Sequence, residues 1–149
     1  GIHLVPTIVV FFASVPSFLY VINGVKFEAL QIVGLLVMVL ATMLELISDN
    51  NMATFRKTRT DKDQIINIGL WKYSRHPNYL GEILFWYGVA IVFVVSNLSL
   101  WYVIIGAILN TLLFWFISIP LAENHLKSYK KGFDEYKKKT RMLLPIKKG

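Results

Sequence analysis

Ionisable side chains that border long apolar runs are the residues of this sequence best suited to chemistry, because a charge beside hydrocarbon is costly to maintain. In the segment ELISDNNMATFRK, Glu45, Asp49 and Arg56 follow one another at intervals of four and seven residues. A continuous helix would place all three on one stripe, where a carboxylate can accept hydrogen bonds from ribose hydroxyls and a guanidinium can bind a phosphate. The alternative is an interfacial salt bridge that ends a membrane helix.

A second group of polar residues lies in the segment GLWKYSRHPNYLGE. Pro77 is typical of the first turn of a helix, and on that helix Asn78 and Glu82 would share a face. Arg75 and His76 come directly before it, where free backbone N–H groups favour an anion. The alternative is an ordinary helix start whose basic side chains reach back to the membrane surface.

The third group lies in the basic tail ENHLKSYKKGFDEYKKKTRMLLPI, where His125 and Tyr129 are one helical turn apart. Four residues of the tail are spaced to share one helical face: Leu126, Tyr129, Phe133 and Tyr136. Such a tail could line a binding site, and it could equally lie on the membrane surface as a lipid-binding amphipathic segment. Gly132 argues against one unbroken helix.

Several other chemistries lack the residues they need. The sequence has no cysteine, which excludes disulfides, thiol nucleophiles and thiolate zinc sites. His3, His76 and His125 lie far apart in the sequence, so we expect no metal site. No GxSxG, GxGxxG or Walker motif occurs, and hydrolysis by a triad and the soluble nucleotide-binding folds are therefore unsupported.

Membrane helices must position these groups. Hydrophobic residues make up 55% of the 149 residues, and no charged residue occurs between Glu82 and Glu123. That interval is long enough for two bilayer crossings of roughly 20 residues each. We therefore predict an all-α, polytopic membrane bundle with an interfacial segment at 48–77 and an amphipathic tail from residue 121. The four predicted spans are residues 4–22, 27–47, 78–95 and 100–119, the last of them ending at Pro120.

The distribution of charge indicates how such a bundle is oriented. The formal net charge is +7, and with four spans fifteen of the 16 Lys and Arg residues lie on one side, leaving only Lys26 opposite. By the positive-inside rule the basic side is cytoplasmic, whether the membrane is the endoplasmic reticulum or a bacterial inner membrane. We expect anionic lipid headgroups or a phosphorylated cofactor as partners, and no nucleic acid. Four carboxylates could cluster at the cytoplasmic span ends: Glu45, Asp49, Glu82 and Glu123.

Read together and in order, the three polar segments resemble the steroid 5-alpha-reductase family. The matching stretches are SDNNMATFRK, GLWKYSRHPNYLGEILFWYG and HLKSYKKGFDEYKKKTRMLLP, within residues 45–146. The element RHPNYLG also occurs, in looser form, in sterol C14 and C7 reductases and in isoprenylcysteine carboxyl methyltransferases. The resemblance implies a helical membrane bundle whose cytoplasmic mouth holds NADPH. It assigns the cofactor-binding role to eight residues: Asp49, Arg56, Arg75, His76, Asn78, Glu82, His125 and Tyr129.

The activity implied by this resemblance is an NADPH-dependent reduction of a carbon–carbon double bond in a steroid-like or other lipid enone. In the steroid reductases the residues that grip the substrate carbonyl lie N-terminal to the matched region, so we identify no catalytic residue. We expect residues 1–149 to be a single membrane domain, the C-terminal, cofactor-binding part of a longer reductase. The sequence indicates no oligomeric state.

Two other functions remain open on the sequence. The first is an S-adenosylmethionine-dependent methyltransferase of a prenylated or phospholipid substrate, which draws on RHPNY and on Glu123 followed by Leu126. The second is a non-enzymatic membrane module whose basic face binds anionic lipid. Titration of NADPH against S-adenosylmethionine in detergent separates all three, because the reductase requires NADPH, the methyltransferase requires S-adenosylmethionine and the lipid-binding module requires neither.

Overall fold

A computed structural model describes Ile22 and residues 28–147 of the chain. Short 3₁₀ helices occupy Gly69–Lys72 and Leu98–Val103, and a π-helical turn occupies Phe114–Ser118. The α-helices of the described residues are α1 (Gln31–Thr58), α2 (Pro77–Ser96), α3 (Ile104–Leu113), α4 (Ile119–Tyr129) and α5 (Phe133–Lys139).

Three helical stretches are long and apolar enough to cross a membrane. They are Gln31–Thr58, Pro77–Ser96 and Leu98–Tyr129, and the last combines a 3₁₀ turn, α3, the π-helical turn and α4. Apolar side chains of α1 such as Leu36 and Leu40 are 57% and 65% exposed, as expected of a surface that meets lipid. The prediction of an all-α membrane bundle is thereby confirmed. The predicted span at 4–22 lies outside the described residues, apart from Ile22.

Helix α1 ends at Thr58, well beyond the predicted span end at residue 47. Its last turn carries Arg56 and Lys57, whose positive charges favour a helix C-terminus. The first part of the segment predicted as interfacial is therefore regular helix. Asp49 and Arg56 consequently lie on one helix, which is the condition under which they were expected to share a stripe.

The prediction that Pro120 ends the last span is wrong, because the chain remains helical to Tyr129. Proline lacks an N–H and its ring collides with the carbonyl four residues earlier, here that of Phe116. That carbonyl belongs to the π-helical turn Phe114–Ser118, whose wider spacing accommodates the ring at the start of α4.

The tail divides where Gly132 was expected to interrupt it. Helix α4 ends at Tyr129, and α5 begins at Phe133 after Gly132, whose φ of 91° suits glycine. The break leaves Phe133 buried and Tyr129 exposed. The four residues predicted to share a helical face nevertheless line one cavity: Leu126, Tyr129, Phe133 and Tyr136.

The helices belong to two compact units, of which the first comprises residues 1–40 and 83–113. Helices α1 and α2 lie close together within it at Gly34 and Gly88, where a Cβ atom on Gly34 would lie 2.7 Å from the Gly88 carbonyl oxygen. Buried Gln31 donates from Nε2 to the Val92 carbonyl oxygen at 3.0 Å. The apolar core of this unit is Val89, Ala90, Phe93, Val103 and Ala107.

The second unit comprises residues 41–82 and 114–149 and contains every residue that was predicted to bind a cofactor. Trp71 anchors the connection between α1 and α2, because its buried Nε1–H donates to the Ser48 carbonyl oxygen at 2.8 Å. In the same unit, Gly81 on α2 lies against the backbone of Ala41 on α1. These contacts fix the segment that leads into α2.

Candidate functional site

The RHP segment before α2 is held by the C-terminal stretch of the chain. The Arg75 N–H donates to the Arg141 carbonyl oxygen at 2.9 Å, and the His76 N–H donates to the Met142 carbonyl oxygen at 3.1 Å. The Ser74 hydroxyl donates to the Leu143 carbonyl oxygen at 2.7 Å. The backbone entering α2 is thus fixed by a strand-like bridge between Ser74 and Arg141, which are 67 positions apart.

Glu123 gathers three basic side chains. Its Oε1 lies 2.8 Å from Arg75 Nε and 3.2 Å from His76 Nε2, and its Oε2 lies 2.6 Å from Lys137 Nζ. The residues Arg75, His76 and Glu123 are only 8%, 5% and 5% exposed. A buried carboxylate with this many partners fixes the positions of Arg75 and His76.

Arg75 also binds the backbone at the end of α5. Its Nη1 donates to the Lys137 carbonyl oxygen at 3.3 Å and to the Thr140 carbonyl oxygen. Arg75 was expected to engage an anionic part of a cofactor. In this structure much of its hydrogen-bonding capacity is committed within the protein, and its charge is balanced by Glu123.

A cavity of about 470 Å³ lies in the second unit, between α1, the start of α2 and α4. Its size falls within the range of roughly 300–1,000 Å³ that is usual for small-molecule sites. Met52, Ala53 and Leu126 contribute apolar wall. Six of the eight residues predicted from the sequence line it: Asp49, Arg56, Arg75, His76, Asn78 and His125.

A smaller cavity of about 120 Å³ adjoins the larger one and shares part of its wall, including Met52, Trp71 and Leu126. Tyr129, the seventh predicted residue, lines this smaller cavity. His125 lines the larger cavity and Tyr129 lines the smaller one. Their ring centroids are 5.1 Å apart in a tilted arrangement, so the two rings lie where the cavities meet.

Glu82 is the predicted residue that lines neither cavity. Its carboxylate interacts electrostatically with Glu45, which also lies outside both linings. Of the four carboxylates expected to cluster, Glu45 interacts electrostatically with both Asp49 and Glu82, whereas Glu123 is bound by Arg75. Within the described residues no group of His, Asp or Glu could hold a metal ion.

Several polar groups of the larger cavity have no partner in the part of the chain that the structure describes. Asp49 and Arg56 are exposed, and neither forms an ion pair with another described residue, so the interfacial salt bridge considered above is not formed. The Oδ1 atom of Asn78 is buried and accepts no hydrogen bond from the described residues. A buried acceptor without a donor is unusual in a folded protein and is best satisfied by a ligand or by water.

Two residues of the smaller cavity have shifted acidities. Burial, reinforced by repulsion from Arg59, lowers the pKa of Lys130, while Asp63 acts in the opposite direction. Burial also raises the pKa of Tyr136, whose hydroxyl donates to the Trp71 carbonyl oxygen at 2.6 Å. Both shifts follow from removing a charged form from water.

The sequence did not identify Arg59, Lys130 or Lys137 as site residues. It indicated Glu123 only as one of four carboxylates at the cytoplasmic ends of the predicted spans. Arg59 and Lys130 resemble many other basic residues of their segments, and nothing local distinguishes them. The one local signal for Glu123 is its position as the first charged residue after a long uncharged interval. Its partners Arg75 and His76 lie 48 and 47 positions away, beyond the reach of helical periodicity.

A protein-family model described as "Protein of unknown function (DUF1295)" matches residues 1–140 of the chain. Neither the curated proteins nor the solved structures give a significant match.

Proposed function

The chain belongs to the family described as Protein of unknown function (DUF1295), and from that premise we propose that it binds NADPH and reduces a carbon–carbon double bond of a lipid-like enone. One observation carries the proposal. Three separate stretches that resemble the steroid 5-alpha-reductases contribute polar side chains to one cavity, among them Arg56, Asn78 and His125.

The unpaired groups of the larger cavity fit the polar groups of a dinucleotide. The Arg56 guanidinium can bind a pyrophosphate through two parallel hydrogen bonds, and the Asp49 carboxylate can accept hydrogen bonds from ribose hydroxyls. The orphaned Oδ1 of Asn78 requires a donor, which an amide or a hydroxyl of the cofactor provides. The lining of this cavity thus offers a dinucleotide both hydrogen-bond donors and hydrogen-bond acceptors.

In this proposal the residues around the cavity bind the cofactor and orient it. When bound, NADPH supplies the hydride of the reduction, and the protein supplies position and polarity. Glu123 holds Arg75 and His76 in place from behind the cavity wall, so this wall is preorganised. We assign binding and positioning roles to these residues and a catalytic role to none of them.

The substrate class follows from the apolar surroundings. Helices long enough to cross a membrane carry the site, and α1 exposes many large apolar side chains. A steroid-like or other lipid enone partitions into a bilayer and reaches such a site from the lipid. The basic residues beside the spans suit cytoplasmic anionic lipid, with the site facing the cytoplasm.

An S-adenosylmethionine-dependent methyltransferase of a prenylated or phospholipid substrate is the second candidate. Glu123 contacts both Arg75 and His76 of the RHPNYLG element, which methyltransferases share in looser form. The guanidinium of Arg56, unpaired within the described residues, favours the reductase, because the charge of Arg75 is already balanced by Glu123. The Asp49 carboxylate can accept hydrogen bonds from ribose hydroxyls. A dinucleotide is strongly anionic, whereas the methyl donor is a cation, so the cavity is complementary to the dinucleotide.

Isothermal titration calorimetry of the purified protein in detergent, with NADPH and with S-adenosylmethionine, tests this proposal. We expect saturable binding of NADPH and an affinity about tenfold lower in Arg56→Ala, a loss of about 1.4 kcal/mol. Lys57→Ala removes a neighbouring charge that lines neither cavity and should bind like the wild type. Saturable binding of the methyl donor alone would overturn the reductase, and binding of neither would leave the lipid-binding module.

A further inference from the structure

The smaller cavity carries an excess of positive charge. Its described lining includes Arg56, Arg59, Arg75 and Lys130 and contains no carboxylate. Glu123 balances Arg75, and the proposed pyrophosphate contact accounts for Arg56. Neither Arg59 nor Lys130 forms an ion pair with a carboxylate of the described residues, and Asp63 attracts Lys130 only from beyond ion-pair distance.

Lys130 is the less ordinary of the two, because it is a buried cation with 9% of its surface exposed. Its Nζ donates to the Gln64 carbonyl oxygen and lies 5.8 Å from the ring centroids of both Phe55 and Tyr129. A carbonyl and two ring faces compensate an ammonium only in part, and they leave two of its three N–H donors to be satisfied. An anion in the cavity would satisfy them.

The residues that line the smaller cavity indicate to which chemical group of a ligand the anion is attached. Phe55, Trp71 and Phe133 line the cavity together with aliphatic side chains, which suits a flat aromatic ring. At about 120 Å³ the cavity holds one part of a ligand, and the wall shared with the larger cavity allows the rest to continue there. A flat base and an adjacent anion are the features of a phosphorylated adenosine.

We infer that Arg59 and Lys130 bind a phosphate on the 2′-oxygen of the adenosine ribose and thereby make the protein select NADPH over NADH. The inference rests on the proposed function, since it assigns one end of the same ligand. Arg59 reaches the cavity from the residue that follows α1, and Lys130 reaches it from the break between α4 and α5. The specificity therefore depends on Arg59, which lies two residues beyond the first matching stretch, and on Lys130, which lies within the third.

Three adenosine phosphates test the inference in detergent by calorimetry: the 5′-monophosphate, the 2′,5′-bisphosphate and the 3′,5′-bisphosphate. The two bisphosphates carry the same charge and differ only in the position of one phosphate. We expect the 2′,5′-isomer to bind at least about tenfold more tightly than either of the others. Equal affinities for the two isomers would reveal general attraction to basic residues and would overturn the inference.

Arg59→Gln should reduce the preference for the 2′,5′-isomer by about fivefold or more and leave affinity for the 5′-monophosphate unchanged. Lys57→Gln is the matched control, because it removes one charge from the last turn of α1 without altering either cavity lining. Lys130→Met should also reduce the preference. If that variant fails to fold, Arg59→Gln decides alone, since Arg59 is exposed and makes no side-chain hydrogen bond within the described residues.

Whole dinucleotides separate this inference from the proposed function. Tight binding of NADPH with at least about tenfold weaker binding of NADH supports both. Equal binding of the two dinucleotides overturns the assignment of Arg59 and Lys130 and leaves the reductase intact. Binding of neither overturns both.

Discussion

At residue scale, Glu123 holds the basic side chains of the RHP segment in their positions. One carboxylate binds Arg75, His76 and Lys137 within 3.2 Å, and it does so in a buried position. Removing one member of such a cluster leaves the others as uncompensated buried charge, which is far more costly than losing a surface ion pair. Glu123 is thus a positioning residue of the cavity wall.

Glu123→Gln should therefore lower the free energy of unfolding by about 3–5 kcal/mol. The amide retains the shape but removes the charge that compensates Arg75. Glu135→Gln is the matched control, because the Glu135–Lys139 pair is 71% and 78% exposed and its loss should change stability by at most about 0.5 kcal/mol. Denaturant titration of both variants in detergent measures the difference. Equal effects of the two substitutions would contradict the structural role of Glu123.

Because of Tyr136, the stability of the fold should decrease at alkaline pH. Burial raises the pKa of Tyr136 above its ordinary value of 10.0, so the folded protein favours the neutral phenol. The stabilisation is complete below pH 10 and declines as the pH rises above 10, because the unfolded chain then loses the proton first.

Tyr136→Phe should lower the free energy of unfolding near neutral pH by about 1 kcal/mol, since it removes the hydrogen bond to the Trp71 carbonyl oxygen. Above pH 10 the difference between wild type and variant should shrink, because the variant has no phenol to ionise at this position. Unfolding midpoints from pH 7 to about pH 11.5 measure the trend. A constant difference over the whole range would show that this side chain does not titrate with folding.

At the scale of elements, the packing of α1 against α2 in the first unit depends on the absence of a side chain at Gly34. A Cβ atom there would lie 2.7 Å from the Gly88 carbonyl oxygen and 2.9 Å from the Val92 nitrogen. Both are backbone atoms, which cannot move aside without displacing a helix. Small residues allow this kind of close helix approach in membranes, where apolar burial contributes little to association.

Gly34→Ala should consequently destabilise the protein by about 1–3 kcal/mol, although alanine is the better helix former. Gly106→Ala is the control within another helix, because a Cβ atom at Gly106 meets no atom within 4 Å. That substitution should be neutral or stabilising by up to about 1 kcal/mol. Thermal unfolding in detergent compares the two variants. A stable Gly34→Ala protein would show that α1 and α2 are not packed this closely.

The elements also show which parts of the fold the sequence could predict. Long uncharged runs predicted the helices around residues 27–47, 78–95 and 100–119 because hydrocarbon requires uninterrupted helix. The rule that proline ends a helix failed at Pro120, because a π-helical turn directly precedes it. Local rules describe one chain segment at a time, and they cannot anticipate an adjustment of the preceding turn.

At the scale of the whole molecule, the sequence predicted which polar residues gather at one cavity better than it predicted their contacts. Helical spacing and the family resemblance identified Asp49, Asn78 and His125, which line the larger cavity. The same reasoning expected Glu82 there, and the structure places Glu82 outside its lining. Contacts such as Arg75 with Glu123 depend on tertiary pairing of distant segments, which no pattern of period 2 or 3.6 encodes.

Because the cavity walls come from α1, the segment before α2 and α4, a ligand bound there must stabilise the second unit as a whole. A ligand that binds only the folded state adds RT ln(1 + [L]/Kd), which is about 2.7 kcal/mol at a hundredfold excess over Kd. NADPH should therefore raise the unfolding midpoint of the wild type in detergent in a concentration-dependent manner. Arg56→Ala should require about tenfold more NADPH for the same rise, and Lys57→Ala should not. Because a lipid-binding module predicts no rise with any nucleotide, a midpoint unaffected by millimolar NADPH would leave membrane association as the function of this fold.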